Sequence, residues 1–300
     1  MRPMLLIAAA VATVSAGVAH AREPLRLKPV TRWVLDYADD NCRLARQFGE
    51  GDRTVTAVFE MFEPGEFFKM RLIGKPVQAR GSDWSNKVGL RFGPTEEQSR
   101  VSAIGATGNE VPILLFQGGV RVAPLTKAEE AEREQAVQRG VQFVPEPLGP
   151  AREAAATWME LKGGVRSDLV LETGPMDKPL AALRKCAWET VAHWGLDVEH
   201  QKGLSRRLAA RLSSRPWLRS GDYPEAMIRG GHQGIVHFRL LVDAAGKPTA
   251  CHIQQSTRPK EFDEAVCRAV MKRALFEPAL DANGKPVPSY WVQTVNFRME

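Results

Sequence analysis

Beyond its first twenty residues the chain has no apolar run long enough to cross a bilayer, so any membrane segment must lie at its start. Closely spaced metal ligands are missing too. The four cysteines and six histidines fall into no closed zinc pattern. His237 and His252 on neighbouring strands, with Cys251, come nearest, but Cys251 and His252 point to opposite faces of their strand, so these histidines are expected on solvent faces. No glycine-rich loop opens a helix after a strand, which excludes a phosphate cradle. Ser213, Ser214, Ser256 and Ser289 lie in no nucleophile elbow. Asp39-Asp40 reads as an acidic pair facing water in a turn. No catalytic residue, cofactor or metal ion is expected, and the chain does not read as an enzyme. A net charge of +6 is too modest for its length to suggest nucleic acid as a partner.

What is present begins with a leader. Met1-Arg2-Pro3 precedes an apolar run from Met4 to Val14, and Ala19-His20-Ala21 follows. That is the charged start, short apolar core and small-residue cleavage site of a secretory signal, with cleavage expected after Ala21. The alternative is an uncleaved anchor over residues 4–19. In an exported protein an even cysteine count favours disulfides. Four cysteines allow three pairings; one bridge per domain gives Cys42–Cys186 and Cys251–Cys267.

Residues 22–197 read as a β-rich domain. Strands are expected at Arg32–Tyr37, Thr54–Phe62, Glu66–Ile73, Lys87–Phe92, Ile113–Gln117, Val120–Val122, Thr157–Lys162 and Asp168–Glu172. Pro64-Gly65 is a tight turn and Gly49 to Asp52 a break. Thr126–Arg139, rich in Glu, Ala and Gln, reads as a solvated helix. Met176–Trp194 reads as a second helix, with Leu180, Leu183, Ala187 and Val191 on one side and Gly195 as its stop. Residues 198–220 form a basic connector. From Gln201 to Gly221 there is no acidic residue, and Leu204, Leu208 and Leu212 recur every four positions. A helix is expected there, either resting on a domain or touching anionic headgroups.

Residues 221–300 follow the order strand, strand, helix, strand. Val236, Phe238, Leu240 and Val242 alternate with His237, Arg239 and Leu241. Ala244 to Lys247 turns the chain, Thr249–Gln255 returns, and Glu261–Leu275 is an amphipathic helix. Asn283-Gly284 turns into a last strand, Tyr290–Met299. The stretch resembles the C-terminal domain of TonB-type energy transducers. The matching residues are Tyr223-Pro224, Gly231 and Gly234, Val242-Asp243 with Gly246, Phe262-Asp263, Phe276-Glu277-Pro278-Ala279, Gly284-Lys285-Pro286 and Phe297. Where the family often has Ser-Ser-Gly, Ser256-Thr257-Arg258-Pro259 stands here. Upstream, Trp33, Asp36-Tyr37, Cys42, Phe48-Gly49 and Trp194-Gly195-Leu196-Asp197 resemble N-terminal regions attached to such domains in some envelope proteins.

The fold expected is α+β: a β-rich N-terminal domain, then a small TonB-C-like domain. Its antiparallel sheet has order 2-1-3 if the helix carries the third strand beside the first, which makes that strand an edge. The resemblance implies a periplasmic protein that pairs this edge with an extended peptide, such as the TonB-box segment of an outer-membrane transporter. Partner-binding residues expected are Tyr223, Pro224, Val292, Thr294, Asn296 and Arg298. Trp291, Gln293, Val295 and Phe297 are expected to pack on the helix. Proline at Val292 and at Thr294 is expected to act differently. The alternative is a scaffolding envelope protein that dimerises through this domain. The missing spacer and the cleavable leader argue against proton-motive coupling. Membrane contact would need the uncleaved N-terminus or the basic connector.

Overall fold

The computed structural model describes residues 23–80, 86–211, 216–257 and 259–299. The leader and its cleavage site at residues 1–21 lie outside them, as do Leu212, Ser213 and Ser214. Alternating apolar residues in the first 171 positions build one ten-stranded sheet. Its strands are β1 (Leu25–Leu27), β2 (Val34–Tyr37), β3 (Cys42–Phe48), β4 (Val55–Met61), β5 (Lys69–Ile73), β6 (Asn86–Phe92), β7 (Ser99–Gly108), β8 (Val111–Phe116), β9 (Met159–Lys162) and β10 (Leu169–Leu171). The spatial order is β1-β10-β9-β6-β7-β8-β5-β4-β3-β2. Only β1 and β10 run parallel. Phe48, Phe59, Phe68 and Phe92 fill the core, and Phe59 stacks on Phe68 at 4.6 Å.

Three of these strands escaped the sequence: the three-residue β1, β3 and β7. β3 carries Arg43, Arg46 and Gln47, yet Cys42, Leu44 and Phe48 are buried. β7 is built of small residues and two glycines, with weak strand preference. It is held by pairing with β6 and β8 and by Asn109 and Glu110, whose φ of 47° and 65° suit the tight hairpin turn. Val120 makes only an isolated bridge with Phe68.

Six α-helices accompany the sheets among the described residues: α1 (Lys127–Gln138), α2 (Pro150–Ala155), α3 (Asp177–His193), α4 (Val198–Lys202), α5 (Glu225–Arg229) and α6 (Lys260–Arg273). None is long and apolar enough to cross a membrane. Thr126 and Glu129 cap α1 reciprocally, and only Ala136 of that helix is buried. α3 has two apolar faces. Leu180, Leu183, Cys186 and Ala187 pack on the large sheet, while Val191, with Trp188 and Trp194 nearby, meets the C-terminal domain.

The C-terminal part holds β11 (Ala209–Ala210), β12 (Gly234–Val242), β13 (Pro248–Ser256), β14 (Phe276–Glu277), β15 (Ala279–Leu280), β16 (Pro286–Val287) and β17 (Ser289–Phe297). Its main sheet has the order β13-β12-β17, the 2-1-3 arrangement. Val236, Phe238, Leu240 and Val242 of β12 pack on Phe262, Val266 and Val270 of α6. Asp243 fixes the β12–β13 turn by accepting the amides of Ala245 and Lys247, and Gly246 takes φ 81°.

The connector is not the expected helix. α4 stops at Lys202 and the described residues from Leu204 to Arg211 run extended. A spacing of four puts Leu204 and Leu208 on one face of a strand as well as of a helix. Extended, the connector finds main-chain partners: Leu280 donates to the Arg206 carbonyl at 2.8 Å, Arg211 donates to Leu275 at 2.9 Å, and β11 pairs with β14. Leu208 enters the C-terminal core.

Both expected disulfides form. Cys42–Cys186 joins β3 to α3 with 6.0 Å between Cα atoms, and Cys251–Cys267 joins β13 to α6 with 5.6 Å. They span 144 and 16 residues. In the chain-entropy model those loops are worth about 5 and about 3 kcal/mol. Thiol titration of the denatured, unreduced protein should therefore find no free thiol. Cys42→Ser/Cys186→Ser should lower the denaturation midpoint more than Cys251→Ser/Cys267→Ser; the reverse order would count against this assignment.

Candidate functional site

β17 is an outer strand, and its main chain can be oriented from its neighbour. Residues Gly234 to Val242 of β12 lie opposite Phe297 to Ser289. The amide of Ile235 donates to Thr257 Oγ1 at 2.8 Å, and the amide of Thr257 donates to the Ile235 carbonyl at 3.0 Å. The main chain of Ile235 thus faces away from β17. Its opposite number, Asn296, must then turn its own N–H and C=O outward. By the two-residue period, Val292 and Thr294 do the same. Gln142 agrees independently: its Nε2 donates to the Val292 carbonyl from outside the sheet, at 2.9 Å. No strand pairs with this outer side among the described residues. Val292 and Thr294 stand two apart, so their amides share one direction. The expectation that prolines there would differ is corrected on that ground.

The side chains divide otherwise. Trp291, Val295 and Phe297 turn toward α6. Phe297 stacks on Phe262 at 4.5 Å, and Trp291 lies 5.3 Å from Phe276. Tyr223 meets both Phe262 and Phe297 edge-on, and its hydroxyl donates to the His232 carbonyl at 2.6 Å. Pro224 caps the short α5. Tyr223 and Pro224 thus anchor the end of the core rather than line the outer edge. The opposite face of β17 meets the N-terminal domain. Tyr290 and Val292 are buried with Val191 of α3, and Trp194 packs edge-on to Tyr290 at 5.0 Å. Thr294 Oγ1 lies 2.8 Å from His237 Nδ1 and accepts from Lys69 Nζ at 3.2 Å. Of the six residues named from sequence, the side chains of Val292 and Thr294 are therefore covered within the chain. Those of Asn296 and Arg298 are exposed.

This covered face is polar as well as apolar. His237 is 6% exposed, with Phe62 edge-on at 4.6 Å and Lys69 Nζ at 3.3 Å. It is not the solvent-facing histidine expected from alternation, because a second domain covers the face that alternation marks as polar. His252 lies opposite Arg239, not His237, and its Nε2 is 2.6 Å from Asp40 Oδ1, so Asp40 is not simply a solvated turn residue. Arg239 lies over the Trp194 ring at 4.1 Å. Gln254 donates to the carbonyls of Asp40 and Phe62, each at 3.1 Å. Burial lowers the Lys69 ammonium to about 8, against the upward pull of Glu60 and Glu63.

Beside β17 opens a groove of about 740 Å³. Trp291 and Gln293 of β17, with Arg207, Arg211 and Trp217 of the connector, make one wall. Glu63 and Phe67 of the β4–β5 turn, Arg133 of α1, and Gln142 and Val144 make the other. Burial pushes the Glu63 carboxyl up to about 7 despite Arg207 and Lys69. Nothing in the sequence joined these segments, since they meet only through the packing of the two domains.

A small sheet of order 2-1-3, backed by one helix and bare along its third strand, is the frame of a domain that can add a strand. In keeping with that frame, residues 220–299 match the family model described as the Gram-negative bacterial TonB protein C-terminal. No curated protein matches the chain.

The buried imidazole makes the domain contact sensitive to acid. Desolvation, then the Lys69 charge, holds His237 down to about 3. In the unfolded chain it titrates near about 6.5. A depressed value means stability that is whole above the unfolded pKa and lost as pH falls toward the folded one. His237→Gln keeps a hydrogen-bonding group for Thr294 and should lose less stability than the wild type between about pH 6.5 and about pH 3.5. Thermal melts across that range would read this; a constant gap in Tm between the two proteins would contradict it.

Proposed function

We propose that this is a TonB-like protein of the bacterial envelope that binds an extended segment of a partner protein along the outer edge of β17. The observation that carries the reading is the bare edge: Thr294 and Asn296 turn main-chain donors and acceptors away from the sheet with no strand beside them among the described residues. Unpaired edge groups recruit peptides by backbone pairing. The match of residues 220–299 to the TonB C-terminal model supports a segment like the TonB box of an outer-membrane transporter, and with it a link to transport. On this reading the chain is a periplasmic binding module and not an enzyme. The N-terminal domain holds β17 in place, and the connector is joined to the C-terminal layer through residues 205–211.

The bare edge also favours self-pairing, in which β17 of two copies would meet and the protein would serve as a scaffold. Sedimentation at rising concentration separates the two readings, because peptide binding leaves a monomer.

Proline tests the mechanism, because it removes the amide donor. Thr294→Pro should cut the affinity of the mature chain for a labelled TonB-box peptide by about tenfold or more, the equivalent of one lost hydrogen bond and its stranded acceptor. Thr294→Ala keeps the amide and should bind nearly as the wild type does. Val295→Pro, whose amide faces β12, should instead lower the melting temperature. Equal peptide affinity of Thr294→Pro and the wild type would rule out edge pairing.

A further inference from the structure

The groove beside β17 belongs to neither domain alone. Its C-terminal wall offers Trp217, Trp291 and the exposed Arg207 and Arg211; its N-terminal wall offers Phe67, Val144 and the exposed Arg133. The arginines outweigh the carboxylates. Glu66 is engaged elsewhere: its Oε1 lies 3.6 Å from Arg184 Nη1 and its Oε2 accepts the Leu148 amide at 3.2 Å. Burial holds Glu63 near the middle of its titration at neutral pH. The groove is thus apolar in its lining and positive in its charge, and it runs into the edge at Gln293.

We infer that the groove is a two-domain recognition site for an extended protein segment that carries apolar side chains together with acidic ones. This rests on the edge-pairing reading and adds to it: β17 supplies the main-chain bonds, and the N-terminal domain helps to choose the sequence. Aromatic and aliphatic side chains of the segment would lie against Trp291, Trp217, Phe67 and Val144. Its carboxylates would meet Arg207, Arg211 and Arg133, where charge complementarity also suppresses basic competitors. The Gln142 side chain already satisfies one acceptor of the edge, at Val292. The incoming segment therefore either displaces it or pairs from Thr294 onward. In both cases it passes close to the N-terminal wall.

The test uses the mature chain and four labelled peptides. Three share an alternating apolar frame with glutamate, glutamine or lysine between the apolar positions, and the fourth is a TonB-box peptide. Fluorescence anisotropy should give the glutamate peptide about a tenfold advantage over the lysine one, the sum of two or three partly exposed ion pairs. High salt should shrink the advantage. Arg207→Glu/Arg211→Glu should invert it, while Val144→Asp, on the N-terminal wall, should weaken the glutamate peptide in particular. Melting curves of both variants confirm that they fold. Equal binding of the three framed peptides, or a preference untouched by these variants, would overturn the two-domain groove. If Thr294→Pro still abolished TonB-box binding in that case, edge pairing would stand without it. Binding of none of the four peptides would sink edge pairing as well. Concentration-dependent dimerisation that protects Trp291 and Trp217 from quenching would assign the groove to a second copy of the chain and overturn the proposal.

Discussion

Every side chain of β17 between Tyr290 and Val295 except that of Gln293 is at least partly buried, and the two faces are buried by different domains. That double cover is the constraint on which the rest depends. A strand packed on α6 alone would be one layer of a small sandwich with a wet back. Here the back is closed by α3, by Lys69 and by the aromatic pair Trp194 and Tyr290. With both faces closed, the strand keeps one side open to a partner, and that side is main chain. On the proposed reading, recognition at β17 itself is a matter of hydrogen bonds, and side-chain selectivity comes from the groove walls.

The closed back carries a cost. Lys69, His237 and Arg239 each give up water, and burial lowers all three toward their neutral forms, Arg239 to about 10. Glu60 is 3% exposed but lies within 3.2 Å of Arg71 and 3.4 Å of Arg43. Such a contact is more polar than a domain core, and polar contacts of this kind are strongest when every partner is present. The two domains therefore fit each other in one register, in which Lys69 meets His237 and Thr294 and Gln254 meets the end of β4 at Phe62. The Cys42–Cys186 bridge supports the same fit from behind, since it ties to the large sheet the helix that presents Val191 to β17.

Much of this was readable from the residues. The alternation in β12, the apolar stripe of α6 and the Asp243–Gly246 turn are local signals, and each stands where the sequence puts it. One cysteine pair per domain was enough to fix both bridges. The rest is tertiary. Cys42 to Phe48 carries arginines that are used within the N-terminal domain: Arg43 lies 3.4 Å from Glu60 on the neighbouring strand, and Arg46 donates to the carbonyls of Thr31 and Thr173. β7 has little strand preference of its own and is held by two neighbours. Leu204 and Leu208 suited a helix and a strand equally, and the free main-chain groups around Leu280 and Leu275 decided for the extended form. His237 and Thr294 read as a solvent face because alternation shows only that a face is polar, not what covers it. The groove had no local signal at all.

Amide hydrogen exchange along β17 of the mature protein, followed by NMR, tests the central claim most directly. If both faces are covered and one edge is bare, the amides of Gln293, Val295 and Phe297 exchange slowly. Those of Thr294 and Asn296 exchange fast and slow down when a TonB-box peptide is added. Uniform protection of all five amides in the free protein, or fast exchange at Thr294 and Asn296 that persists under saturating peptide, would contradict the account.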